Sequence, residues 1–369
     1  MQAAIENFTA RRDPPLHVAD PRLLQVSTAL LGEGSFGKVY FATYGGREVA
    51  VKILQVSPSD PPEALSNFRK EAELLQRLSH PNIVRYFGFL ERTGVERTGG
   101  GPWFGGGGTK EYLIVEELAE GGCLAASALR SSGAAPLPPD ASRRIALGVA
   151  HGLRYLHGLK DPVAHCDINL DNIQLDKEGN ALVADFGLAR AVAGTLPRTY
   201  STGTARSAGM PWGTMQYMAP ENMDDKSKYY RKTPSDLYSF AMLLFALVTG
   251  RAPWEGRNMG EIAMAVNAGL RPELPKGLDG ALARLITCCW DQDPSRRPTA
   301  TALVGMLEDL AWGRAGVSRI TLSAAWVAKL QEARRQAGGA VPTAPPPPQG
   351  AVGQEGGHDP AWGGGGGAV

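Results

Sequence analysis

Three glycines in "GEGSFG", Gly32, Gly34 and Gly37, keep the spacing G-x-G-x-x-G. With no Cβ in the way, backbone at such positions can approach phosphate oxygens, and several nucleotide-binding folds use the pattern. The residues just after the glycines separate those folds. A dinucleotide-binding fingerprint opens a helix, and a P-loop requires Gly-Lys-Ser/Thr. Here the next residues are "KVYFATYGGREVAVKIL", which read as strand, turn and strand, and Gly37-Lys38 is succeeded by Val39. Neither of those two folds fits.

The elements that must position this loop are legible from period and composition. Residues Leu23 to Leu54 mix glycines with β-branched and aromatic residues around the turn "YGG", and predict three strands. "EALSNFRKEAELLQRL" places Leu65, Phe68, Ala72, Leu75 and Leu78 at helical spacing. "HPNIVRYFGFL" and "EYLIVEEL" return to strand, separated by "ERTGVERTGGGPWFGGGGTK", a Gly-rich inserted loop in which "ERTG" occurs twice. From Asp140 the pattern turns helical, through "ASRRIALGVAHGLRYLHGL", the apolar stretch Leu237 to Val248, "EIAMAVNAG", "LARLITCCW" and "TALVGMLEDLAW". A β-rich half followed by a larger helical half is α+β organisation. "TLSAAWVAKLQEARRQ" reads as one more amphipathic helix, and the Pro/Gly-rich stretch from 337 onward as disordered.

With "VAVK", "HCDINLDN", "ADFG", "APE" and "RRPT" in this order, the chain resembles the protein kinase family from about Leu23 to Leu310. "WGTMQYMAPE", "SDLYSFAMLLFALVTGRAPWEG" and "CCWDQDPSRRPT" are most similar to the tyrosine-kinase-like group, most of whose members act on serine and threonine. The resemblance implies a bilobal fold, with a small antiparallel β-sheet lobe carrying one helix and a larger, mainly helical lobe. It implies an N-terminal extension (1–22), a small lobe (23–119) with the Gly-rich insert (92–110), a large lobe (120–312), a C-terminal helical extension (313–336) and a tail (337–369). ATP and Mg²⁺ would be bound between the lobes.

Residue by residue, the resemblance assigns Lys52 to the phosphates and Glu71 to holding that lysine. Glu73 competes for the second role, but lies about 200° round the helix from Glu71, so only one of them can face the strand. Asp167 matches the residue that orients the substrate hydroxyl or accepts its proton; Asn172 and Asp185 match the metal-holding pair. Leu31, Gly32, Gly34, Gly37, Val39 and Ala50 would cover the nucleotide. Glu116 falls at the position guarding the back of the adenine pocket, Glu117, Leu118 and Ala119 at the hinge, and Gln174 beneath the adenine. Glu221 and Arg297 match a buried ion pair, Asp236 the aspartate that steadies the catalytic-loop backbone, and His165 and Phe186 the apolar column between the lobes. Thr214 matches the threonine that Ser/Thr kinases set against the catalytic aspartate.

Four positions depart from the family pattern. Asn169 replaces the lysine that contacts the transferring phosphate, a loss of about 3 kcal/mol of transition-state stabilisation, or roughly a hundredfold in rate. Cys166 replaces the arginine that binds an activation-loop phosphate, so activity is expected not to depend on modification of the hydroxyl-rich segment Asp185 to Glu221. Glu116 brings a carboxylate that needs a partner or solvent, since burying it alone is costly. Gln174 stands where a flat apolar residue usually lies. Slow transfer and weakened ATP affinity are the expectation; the alternative is a pseudokinase that binds nucleotide and scaffolds partners.

Length and charge agree with an enzyme of this kind. The 369 residues suffice for a bilobal domain with tails. A net charge of +1 gives no global field to attract nucleic acid or an acidic membrane. The longest apolar run, Phe240 to Val248, is too short to span a bilayer. Cys123, Cys166, Cys288 and Cys289 have no zinc-finger spacing and read as reduced thiols of a cytoplasmic protein. The partners expected are protein substrates presenting Ser or Thr hydroxyls in signal transduction.

Overall fold

The computed structural model describes residues 18, 20–34, 37–57, 60, 62–93, 110–129, 137–192, 215–223, 232–310 and 323–338. Most of the Gly-rich insert, most of the segment between Asp185 and Glu221 including Thr214, and the tail beyond 338 lie outside the described residues.

Five strands form one antiparallel sheet: β1 (Leu24–Gly34), β2 (Gly37–Tyr44), β3 (Arg47–Val56), β4 (Tyr86–Thr93) and β5 (Lys110–Glu117), in the order β1-β2-β3-β5-β4. The two-residue alternation of a strand sets its chemistry. On β3, Val49, Val51 and Ile53 turn outward into a cluster with Leu113 and Val115 of β5, so Ala50 and Lys52 face the other way. Register then places Ala50 opposite Glu116, and Lys52 opposite Val39 on one side and Ile114 on the other. At Gly37, φ is +147° and a Cβ would come within 2.6 Å of the Ile53 carbonyl oxygen, so the β1–β2 turn admits only glycine there.

Helix α1 (Pro62–Leu75) lies against this sheet through Phe68, Ala72 and Leu75, whose spacing is the helical one read from the sequence. Those side chains join a core that continues through the large lobe: the short α2 (Ala125–Ala128), α3 (Pro139–His157), α4 (Thr233–Thr249), α5 (Met259–Asn267), α6 (Gly280–Cys289) and α7 (Ala300–Asp309). Helix α4, apolar on nearly every side, is buried along most of its length, as expected for a helix at the centre of a lobe. Short strand pairs, β6 (Gly122–Cys123) with β8 (Ile173–Leu175) and β9 (Ala181–Val183), and β7 (Val163–Ala164) with β10 (Arg190–Ala191), hold the loops between α3 and α4 under the sheet.

The last described element, α8 (Ala324–Gly338), lies against β1 and β2 and also touches Glu120 and Gly122. It runs two residues past 336, the expected end of the C-terminal extension. Among the described residues, no helix is long and apolar enough to cross a membrane.

Candidate active site

Lys52 reaches the cleft because strand alternation turns it inward, and there it meets two carboxylates. Its Nζ donates to Glu71 Oε1 at 2.6 Å and to Asp185 Oδ1 at 2.9 Å. Both Lys52 and Glu71 are buried, whereas Glu73 is exposed, which decides between these two glutamates. Burial opposes the Lys52 charge, but the carboxylates of Asp185, Glu71 and Glu116 outweigh it and raise the pKa above the ordinary lysine value. Burial pushes the Glu71 carboxyl up, with Lys52 holding it back. Glu71 Oε2 is buried with no hydrogen-bond partner among the described residues.

The loop His165 to Asn172 turns through Cys166 at φ +66°, a left-handed conformation that costs a non-glycine residue on the order of 1 kcal/mol. Asp236, fully buried at the start of α4, holds that turn: its carboxylate accepts the backbone N–H of His165 at 2.9 Å and of Cys166 at 2.8 Å, and meets His157 Nε2 at 2.8 Å. His165 Nε2–H donates to the Ala184 carbonyl, which leaves Nδ1 to accept from the Asp167 N–H. Its ring stands edge-on to Phe186, with centroids 4.8 Å apart.

Asp167 is gripped by two amides. Asn172 Nδ2 donates to Asp167 Oδ2 at 2.7 Å and to its carbonyl at 2.8 Å; Asn169 Nδ2 donates to Oδ1 at 3.1 Å and to the same carbonyl at 3.2 Å. Asn169 is buried, and its Oδ1 accepts the backbone N–H groups of Asp171 and Asn172 at 2.9 and 3.0 Å. It therefore does more than leave a lysine missing: it closes the loop on itself and fixes the Asp167 carboxylate.

The two aspartates are pushed apart electrostatically. Burial and the Asp185 charge raise the Asp167 pKa, against His165, Asn172 and Asn169. For Asp185, the desolvation is overcome by the Lys52 charge and hydrogen bond, and its pKa falls below the usual carboxylate range. One acid becomes the better proton acceptor while the other stays ionised, a pairing from which acid–base roles can be read. Asp185 also sits at φ +58°, with Oδ1 accepting the Gly187 N–H at 3.3 Å.

Lys52, Glu71, Asn172 and Asp185 share a cleft of about 280 Å³, bordered also by Leu31, Gly32, Val39, Ala50, Glu116, Glu117, Ala119 and Gln174. Three of the residues expected to act in catalysis or nucleotide binding are not on its wall: Asp167 is hydrogen-bonded to Asn172, and Gly34 and Gly37 face each other across the β1–β2 turn. Burial, with Glu71 nearby, pushes the Glu116 carboxyl up to about 8, against Lys52. Gln174 Nε2 donates to the Asp171 carbonyl at 3.0 Å. Cys123 and Trp326 also border the cleft, and the sequence pattern points to neither; Trp326 comes from α8.

Beneath the site, Arg297 and Glu221 form a buried two-pronged pair at 2.6 and 2.8 Å, with the Ser235 hydroxyl donating to Glu221 Oε1 at 2.8 Å. The expected pairing of these residues is present. For a divalent cation, the donor set is hard: among the described residues no hydrogen bond is made to Asn172 Oδ1 or Asp185 Oδ2, and both are oxygens of the type Mg²⁺ prefers. No cluster of three or more His, Cys, Asp or Glu side chains suited to a metal occurs among the described residues, so such an ion would complete its shell from water or substrate.

Comparison with known proteins gives the same outline. Residues 26–306 match the model of the protein kinase domain. The chain is 32% identical over 283 residues to the serine/threonine-protein kinase CTR1 of Arabidopsis thaliana, covering 76% of this chain and 31% of that one. It is 31% identical over 287 residues to the serine/threonine-protein kinase VIK of the same plant, covering 77% and 59%. The serine/threonine/tyrosine-protein kinase HT1, also from Arabidopsis thaliana, is 32% identical over 280 residues, covering 74% and 63%. The chain thus spans between about a third and three fifths of the length of these curated relatives.

Proposed function

The chain belongs to the eukaryotic protein kinase family, in its tyrosine-kinase-like group, and on that premise we propose that it transfers the γ-phosphate of ATP to Ser or Thr hydroxyls of protein substrates. The observation that carries this reading is Lys52 held at once by Glu71 and Asp185 in a cleft that Asn172 also borders, with Asp167 hydrogen-bonded to Asn172. Phosphoryl transfer asks little covalent chemistry of a protein and much positioning.

In this reading, the Lys52 ammonium binds phosphate oxygens and Glu71 keeps it in place. Asn172 and Asp185 would hold Mg²⁺, which when bound would neutralise phosphate charge. Asp167, fixed by two amides and raised in pKa, takes the proton of the substrate hydroxyl as its oxygen bonds to the γ-phosphorus. The bond from that phosphorus to the bridging oxygen breaks, and ADP leaves with the electron pair. Leu31, Val39, Ala50 and Gln174 enclose the adenine, and Glu117 and Ala119 supply the hinge. The small lobe would comprise 23–119 and the large lobe 120–312. Serine/threonine preference follows the named activities of the relatives. The free thiols among the described residues and the lack there of a membrane-crossing helix support a cytoplasmic setting.

The test is transfer of labelled γ-phosphate from Mg-ATP to a general Ser/Thr protein substrate and to the protein itself, with Asp167→Asn in parallel. Label that disappears in the variant is expected. No label above the variant, from a folded protein that binds ATP, would instead make the chain a nucleotide-binding scaffold, the reading that Asn169, Glu116 and Gln174 favour.

A further inference from the structure

Helix α8 lies outside the residues that match the kinase domain, yet it takes part in the cleft. Trp326 borders the cleft, and its indole N–H donates to the Glu120 carbonyl at 2.9 Å, one residue past Ala119. The ring packs so closely on Gly122 that a Cβ there would come within 2.5 Å of it. Lys329 donates to the Leu31 carbonyl at 3.0 Å, and Leu330 and Ala333 are buried against Leu31, Phe41 and Ala50. Arg334 binds Glu48 of β3 at 2.7 Å and Glu120 at 2.8 Å, so the helix is fastened both to the sheet and to the connection between lobes.

We propose that α8 is a working part of the nucleotide site, with Trp326 forming the wall on which the nucleoside end of ATP rests. This rests on the nucleotide-binding reading above, and adds to it a residue beyond the kinase domain. The ring borders the cleft and does not fill it: about 280 Å³ remains, with Lys52, Asn172 and Asp185 facing that space. The indole packs into the same apolar cluster as Leu31, Val39 and Ala50, and with them gives the cleft an apolar lining suited to a flat base and its sugar. Phosphates reach toward Lys52.

The experiment is calorimetric titration of the full chain with Mg-ATP and, separately, with adenosine, for wild type, Trp326→Ala, Trp326→Phe and Arg334→Ala. Trp326→Ala is expected to weaken both ligands by about tenfold, the same factor for each, since the lost wall meets only their shared nucleoside. Trp326→Phe should restore most of the affinity. Arg334→Ala, which loosens α8 without touching the cleft, should shift both ligands in the same direction as Trp326→Ala. Unchanged or tighter binding by Trp326→Ala overturns the proposal; the tighter case would mark the ring as an obstruction. A loss confined to ATP also overturns it, because the helix would then act on the phosphate end. Because binding is read without transfer, a chain that binds both ligands but labels nothing sinks only the proposed activity.

Discussion

Asn169 donates its side-chain amide to the Asp167 carboxylate at 3.1 Å, and thereby occupies a place in the loop that a lysine could not fill in the same way. Its oxygen caps the N–H groups of Asp171 and Asn172. Asn169→Lys restores a cation where charge develops and strips those two groups of their acceptor. Transfer is expected to rise by about tenfold or more while stability falls by about 1–2 kcal/mol. Single-turnover labelling and urea denaturation of the same preparations check this. A slower Lys variant would show that the grip on Asp167 outweighs the missing charge.

Lys52 and Glu71 form a buried pair, and removing one partner strands the other. Lys52→Met should cost about 3 kcal/mol at neutral pH, and Lys52→Met/Glu71→Gln appreciably less, although both abolish transfer. The cost of the single variant should shrink as pH falls and Glu71 takes up a proton. Denaturation midpoints at two pH values decide it; equal losses for single and double variants would count against the pairing as a stabilising unit.

Glu116 makes stability depend on pH with a definite sign. An unperturbed glutamate titrates near 4.5, whereas burial brings Glu116 up to about 8. Between those values the folded protein holds a proton that the unfolded chain has released, so this residue's contribution is intact below about 4.5 and is lost as pH rises through 8. Glu116→Gln should remove that slope, so its melting temperature should exceed that of wild type by a margin that widens from pH 5 to pH 9. A margin independent of pH would mean that Glu116 titrates normally.

Local spacing made most of the cleft legible. The strand alternation around Lys52 and the helical face of Phe68, Ala72 and Leu75 are short-range signals, and each sits where its period places it, whereas of the glycine pattern only Gly32 borders the cleft. Two features were not legible. The inward turn of Asn169 depends on which hydrogen bonds the folded loop offers, and the residue type alone does not reveal it. Trp326 meets Glu120 across 206 residues, and an amphipathic period says that a helix has an apolar face without saying which distant surface receives it.

The contact between Lys329 and Leu31 closes a loop of 298 residues. At a ribosomal rate of roughly 5–20 residues per second, strand β1 emerges about 15 to 60 seconds before the helix that covers it. During that interval the sheet can pair its strands, but the face formed by Leu31, Phe41 and Ala50 stands open on a nascent chain. The surface that α8 will cover is for that time a sticky apolar patch, the kind that draws in chaperones or neighbouring chains. Maturation of the small lobe thus waits on a segment made some three hundred residues later.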